Sequence, residues 1–165
     1  MARSRFIVTA VLLIVLCSLT ICRSAIYEDE VTLYTDIVEK SPNKARPHNN
    51  LGDALKKAKR IEEAAPHFVR ALELQPAYPD ALNNLATIYG SEGRRQEALQ
   101  LLSQAIALNP NHLQARSNLA MNFYELGMLG EAEQQYGIIL QISPYSKEAV
   151  FGRKMLSMIQ KKAAP

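Results

Sequence analysis

Apolar residues recur in pairs four positions apart: Leu51 and Leu55, Leu85 and Tyr89, Leu119 and Phe123. That spacing puts each pair on one face of a helix. The pairs themselves return every 34 residues, and Pro42, Pro76, Pro110 and Pro144 keep the same interval. Aligned on the prolines, Gly52, Ala86 and Ala120 form one column, and Ala64, Ala98 and Ala132 another. Phe68, Leu102 and Tyr136 form a third. Small residues at two fixed phases let helix axes approach closely, and each proline closes a unit because the residue before it is biased out of the helical region. The pattern predicts an all-α chain, with two helices in each of three units at 45–78, 79–112 and 113–146. Short turns are expected near 59–61, 93–95 and 127–129. Pro66 falls near the start of its helix, where a missing N–H costs little, so little or no kink is expected.

One such unit cannot bury its own apolar face, so the ends of an array need caps. Residues 28–42, "EDEVTLYTDIVEKSP", are in phase with the second helix of a missing earlier unit, with Tyr34 in the aromatic column. A helix within 27–41 follows. At the other end, 146–162 offers Phe151, Met155, Leu156 and Ile159 as one apolar face, while Arg153 and Lys154 break the Leu-Gly column.

The columns resemble the tetratricopeptide repeat family, whose unit is a helix–turn–helix of about 34 residues. The family pattern has a large residue, then Leu-Gly, then Tyr on the first helix. Ala, an aromatic and a second Ala follow on the second helix, and Pro closes the unit. The departures are few. His48 and Arg116 stand in the first large position, Lys59 replaces the turn residue that is Gly93 and Gly127 elsewhere, and Ile139 replaces the second small residue. The resemblance implies an α-solenoid of three units with flanking capping helices. Residues 25–44 are then a linker and half-repeat helix, and 147–165 a capping helix and tail.

Residues 6–22, "FIVTAVLLIVLCSLTIC", carry no charge and are preceded by Arg3 and Arg5. Their length is short for a membrane span but long for a signal-peptide core of roughly 7–15 residues. The segment 1–24 therefore reads as an uncleaved anchor rather than a signal segment. Neither Cys17 nor Cys22 sits in a convincing lipobox. The flanking arginines mildly favour a cytoplasmic N-terminus, which places the repeats on the non-cytoplasmic, periplasmic side. The junction 25–55 also resembles O-mannosyltransferase-like polytopic membrane proteins, in which the last membrane helix runs into repeats of this type. That likeness implies an anchor and an orientation but no catalysis.

The whole chain has 165 residues and a net charge of +3. Setting aside Arg3 and Arg5 leaves 17 basic against 16 acidic residues. So balanced a domain is a poor candidate for nucleic-acid binding. No phosphate loop, dinucleotide fingerprint, zinc-protease or nucleophile-elbow motif appears, so no catalytic residue, cofactor or metal is expected. His48, His67 and His112 share no ligand spacing and read as surface or half-buried helix residues. Glu28, Asp29 and Glu30 read as favourable charge at a helix N-terminus. Lys40, Lys44, Arg46, Lys56, Lys57, Lys59 and Arg60 crowd 21 positions. They read as a solvated helix end, with anionic headgroups as the alternative partner.

Asn50, Asn84 and Asn118 keep the same phase in all three units. Each is turned about 100° from the leucine that follows it. In tetratricopeptide arrays that direction is the concave groove, and the column resembles the asparagine ladder of peptide-binding members. An amide can donate to a C=O and accept from an N–H of the same backbone, so it grips a peptide without reading its sequence. Bonding between neighbouring helices is the alternative use. Arg46, Asn49, Asp53, Lys56, Asn83, Thr87, Met121 and Tyr124 complete the expected groove. The lysine-rich clamp for chaperone C-terminal carboxylates is not reproduced, since 49, 114 and 118 are Asn, Gln and Asn. The expected function is a membrane-tethered scaffold for a peptide or partner protein. The alternatives are an accessory substrate-binding module for a polytopic, glycosyltransferase-like membrane partner, and a self-assembly module.

Overall fold

A computed structural model describes residues 29–163. Among them are eight helices and no strand: α1 Glu30–Lys40, α2 Ala45–Lys57, α3 Ile61–Leu74, α4 Pro79–Ser91, α5 Arg95–Leu108, α6 Leu113–Glu125, α7 Leu129–Ile142 and α8 Lys147–Ala163. Each helix packs on its sequence neighbours, and α2, α4, α6 and α8 also touch in succession along one side. The result is an all-α solenoid of helical hairpins. The apolar run 6–22, expected to be an anchor, lies outside the described residues. No helix among the described residues is long and apolar enough to cross a membrane.

Local chemistry sets the ends of these helices. The Asp29 carboxylate caps α1 by accepting from the Val31 and Thr32 N–H groups, and these bonds hold its pKa below the usual range. Pro42, Pro76, Pro110 and Pro144 occupy the second position of the four-residue turns between units. Within units, the turns close by a repeated bond: Arg60 N to Leu55 O, Arg94 N to Tyr89 O and Met128 N to Phe123 O, each 2.9 Å. This closure needs a left-handed residue. Gly93 and Gly127 supply it at φ 79°, and Lys59 must adopt φ 63°. A left-handed backbone costs a side-chain-bearing residue about 1–2 kcal/mol, partly offset by glycine's greater chain entropy. Lys59→Gly is therefore expected to raise stability by roughly 0.5–1 kcal/mol. An unchanged or lower urea midpoint would contradict this.

Three successive apolar clusters, with a smaller one of Ala45, Ala71 and Ala81 beside them, form the core. Phe68, Leu102 and Tyr136 are fully buried, as are Ala64, Ala98 and Ala132. At Gly52 the packing is so tight that a Cβ would fall 2.7 Å from Phe68 Cε1. The Tyr136 hydroxyl is buried without a hydrogen-bond partner, and burial pushes its pKa up to about 12. An unsatisfied buried hydroxyl costs about 1–3 kcal/mol. Tyr136→Phe is thus expected to stabilise the fold, and a lowered melting temperature would count against an orphaned hydroxyl.

Two expectations need correction. The buried face of α8 is Ala149, Gly152, Met155 and Ile159, with Leu156 half-buried, whereas Phe151 remains 37% exposed. Gly152 lies against Tyr136, so the cap engages that large ring through its smallest residue. Phe151 meets only the ring edge, at 6.1 Å between centroids. Pro66 is the sixth residue of α3, past the positions whose N–H is spare. Its ring removes one bond from the helical ladder, yet α3 continues unbroken. Pro66 and Glu62 are both exposed, so water can reach the carbonyl left unpaired.

Candidate peptide-binding groove

The side lined by α2, α4, α6 and α8 carries the asparagine column, and there the amides bond mainly to one another. Asn84 Nδ2 donates to Asn49 Oδ1 at 3.2 Å, and Asn118 Nδ2 donates to Asn83 Oδ1 at 2.8 Å. Both links span one repeat plus one residue. The second asparagine of each unit thus reaches back to the first asparagine of the preceding unit. This explains the doublets Asn49-Asn50 and Asn83-Asn84. Among the described residues Asn50 has no earlier unit to reach, and in the third unit Ser117 stands where a further acceptor would have no donor to receive.

The consequence is burial. Asn49, Asn83 and Asn84 are each less than a tenth exposed. Asn84 Oδ1 also accepts from Lys56 Nζ at 2.8 Å. These residues face inward between helices rather than lining an open surface. Asn50 and Asn118 are half-buried. Thr87, exposed, donates to Asn83 O and accepts from Asn118. Met121 borders an open cavity, whereas Tyr124 is half-buried against the third core cluster. Arg46 is exposed, and Asp53 pairs with Lys56 and Lys57.

That cavity, about 380 Å³, lies between α4 and α6 and is lined by Gly90, Ser91, Arg95, Asn118, Asn122 and Glu125 among others. A second hollow continues it toward α8, bounded by Gln114, Ser117, Lys147 and Phe151. Exposure of Phe151 follows from its place at this rim. The basic stretch near α2 is largely spent on internal pairs. Lys40 meets Asp36, Lys57 meets Glu30 and Asp53, and Arg60 meets Glu63.

The histidines were the least legible residues. His48 is buried, not superficial, and its ring stacks on His67 with 3.2 Å between the two Nδ1 atoms. His48 Nε2 lies 2.9 Å from Pro42 O. A carbonyl only accepts, so His48 carries its proton on Nε2. His67 Nδ1–H must then donate to His48 Nδ1. The pair ties the α1–α2 turn, α2 and α3 together. Its only sequence signal was His48 standing where the repeat pattern has a large apolar residue. His112 caps α6: its Nδ1 accepts from Ala115 N, leaving Nε2 to donate to Asp80 at 3.1 Å.

Burial and the neighbouring His48 push the His67 pKa down from its usual 6.5. Well above pH 6.5 His67 is neutral in both states and contributes no pH dependence. Below it, the unfolded chain takes a proton that the folded one resists, so stability falls as pH drops toward the folded value. Comparing melting temperatures at about pH 7.5 and 5.5 checks this. His67→Gln should flatten the difference, and an equal fall in the variant would assign it to other groups.

A tetratricopeptide repeat family model matches residues 91–150, and a TPR repeat model matches 52–93. Together they span most of the solenoid. The chain belongs to the tetratricopeptide repeat family. Among solved structures, the first TPR of Spaghetti (RPAP3) bound to HSP90 peptide SRMEEVD is 24% identical with a TM-score of 0.68. The match covers 74% of this chain and 94% of that one. The second TPR domain of human RPAP3, in complex with HSP70 peptide SGPTIEEVD, is 26% identical with a TM-score of 0.60, over 68% of this chain and 92% of that one. The Aspergillus fumigatus Sgt2 TPR domain is 21% identical with a TM-score of 0.64, over 72% and 78% respectively. The likenesses at 21% and 24% identity establish the fold alone. No curated protein matches the sequence.

Proposed function

We propose that this TPR chain is a membrane-tethered scaffold that binds a peptide segment or partner protein along the side lined by α2, α4, α6 and α8, without catalysis of its own. The carrying observation is the open polar cavity between α4 and α6, continued toward α8. Its walls come from successive first helices, so one extended segment can touch two units and the cap. Similarity to TPR domains held with HSP90 and HSP70 peptides supports a peptide-sized occupant. The bound segment is expected to differ from those acidic peptides, because Asn49, Gln114 and Asn118 do not supply a lysine-rich clamp.

The tether is the apolar run 6–22, with the repeats on the non-cytoplasmic side. Carbonate extraction and intact mass test that part. Release into the soluble fraction with loss of residues 1–24 would remove it. Purifying the full chain from membranes with its bound proteins tests the rest. Recovery of soluble clients supports the scaffold reading. A polytopic transferase would instead favour the accessory-module reading, to which the 25–55 junction lends its resemblance. Self-association alone, with no bound segment, would overturn both.

A further inference from the structure

The cavity between α4 and α6 has an excess of acceptors. Asn122 is 7% exposed, and its Nδ2 donates to Asn118 O at 2.8 Å. That bond fixes the amide orientation and leaves Oδ1 without a partner. The Glu125 carboxylate stands at the same cavity, paired with Arg95 from the start of α5. The Ser91 hydroxyl spends its proton on Ile88 O at 2.7 Å and presents lone pairs outward. Gly90 packs over this amide, where a Cβ would come 3.3 Å from Oδ1, so the oxygen is shielded from the cavity while the Glu125 and Ser91 oxygens face it.

Donors are spent by contrast. Asn118 Nδ2 is used on Asn83 and Thr87, and Asn122 Nδ2 on the backbone. Arg95 is the one charged donor lining the cavity, and it is committed to Glu125 and, at 3.4 Å, to Gly90 O. A carboxylate entering here would set lone pairs against the Glu125 carboxylate and the Ser91 hydroxyl oxygen. A guanidinium or ammonium group would meet the Glu125 carboxylate and the Ser91 oxygen, with Met121 offering a polarisable surface to its aliphatic stem.

We propose that this cavity takes the basic side chain of the segment bound in the groove, and that Arg95 occupies Glu125 until that side chain displaces it. The inference rests on the groove-binding reading and adds the chemistry of one ligand position. Arg95 is then an internal competitor, which gives its removal an unusual sign.

The test uses the full chain and acetylated, amidated heptapeptide pools, random except for a central Arg, Lys, citrulline or Glu, read by fluorescence anisotropy. Citrulline keeps the shape of Arg and removes its charge. The Arg and Lys pools should bind about tenfold tighter than the citrulline pool, the scale of one charge-assisted hydrogen bond. Glu125→Gln should erase that preference, and Arg95→Gln should strengthen it. Thermal melts confirm that both variants are folded. Equal binding of the Arg and citrulline pools, a preference for the Glu pool, or weakened Arg-pool binding by Arg95→Gln would each overturn the inference. If pools bind without a basic preference, the groove reading stands and this inference alone falls. If no pool binds, both fall.

Discussion

Truncating Phe68 to Ala is expected to cost about 3–5 kcal/mol, a large part of the roughly 5–15 kcal/mol that holds a domain together. Phe68 is fully buried in the first core cluster, beside Leu51, Leu55 and Ala64. The ring has no room to retreat, because the absent side chain of Gly52 is what admits it. A Cβ on residue 52 would meet Phe68 Cε1, Cζ and Cδ1 at 2.7, 2.9 and 3.0 Å. Gly52→Ala alone should therefore lose stability, although alanine favours a helix interior by about 1 kcal/mol. Overpacking of a filled core costs typically about 1–3 kcal/mol. The second unit fills the equivalent columns with Ala86 and Leu102, both buried in one cluster. In a Phe68→Leu background, Gly52→Ala should thus turn neutral or favourable, because the smaller side chain clears the space and the propensity gain remains. Urea denaturation of the wild type, both single variants and the double variant reads the coupling. A Gly52→Ala effect equal in the two backgrounds would show that the ring does not set the glycine.

That glycine was readable as a member of a small-residue column, but its necessity was not. The 34-residue period, the proline turns and the left-handed turn positions follow from backbone chemistry that leaves a residue-type signature. Side-chain partners across helices leave none unless both partners recur at one interval. His48 and His67 are 19 residues apart and occur once, so only the departure of His48 from its column hinted at a special contact. Apolar spacing alone puts Phe151 in the core because it cannot distinguish two adjacent faces of one helix. Contact with Tyr136 selects the face bearing Gly152, the residue that a hydrophobicity pattern ignores. The asparagines fall between these cases. Their 34-residue column pointed to one face of the solenoid, while the 35-residue step that joins them was visible only as doublets in two units.

That step gives the three column asparagines different expected effects. Asn84→Ala strands Asn49 Oδ1, which is buried and receives its bond from Asn84. Leaving a buried acceptor unpaired costs about 1–3 kcal/mol, against a helix-propensity gain of at most about 0.7 kcal/mol. Lys56 also loses an acceptor, but it retains Asp53 at 3.3 Å and reaches water, so its share is small. Asn118→Ala strands Asn83 Oδ1 in a still drier place, where the residue is 2% exposed. The double substitution should lower stability by roughly 2–4 kcal/mol. Asn50 has no such partner in an earlier unit, so Asn50→Ala should hold stability or raise it slightly. Its free amide can instead grip a bound backbone, and its loss should then weaken peptide-pool binding by about two- to tenfold, the scale of one net hydrogen bond. Equal thermal shifts in all three variants would mean that the inter-repeat bonds contribute little. A stability loss in Asn50→Ala matching that of Asn84→Ala would remove the distinction between the end of the ladder and its middle.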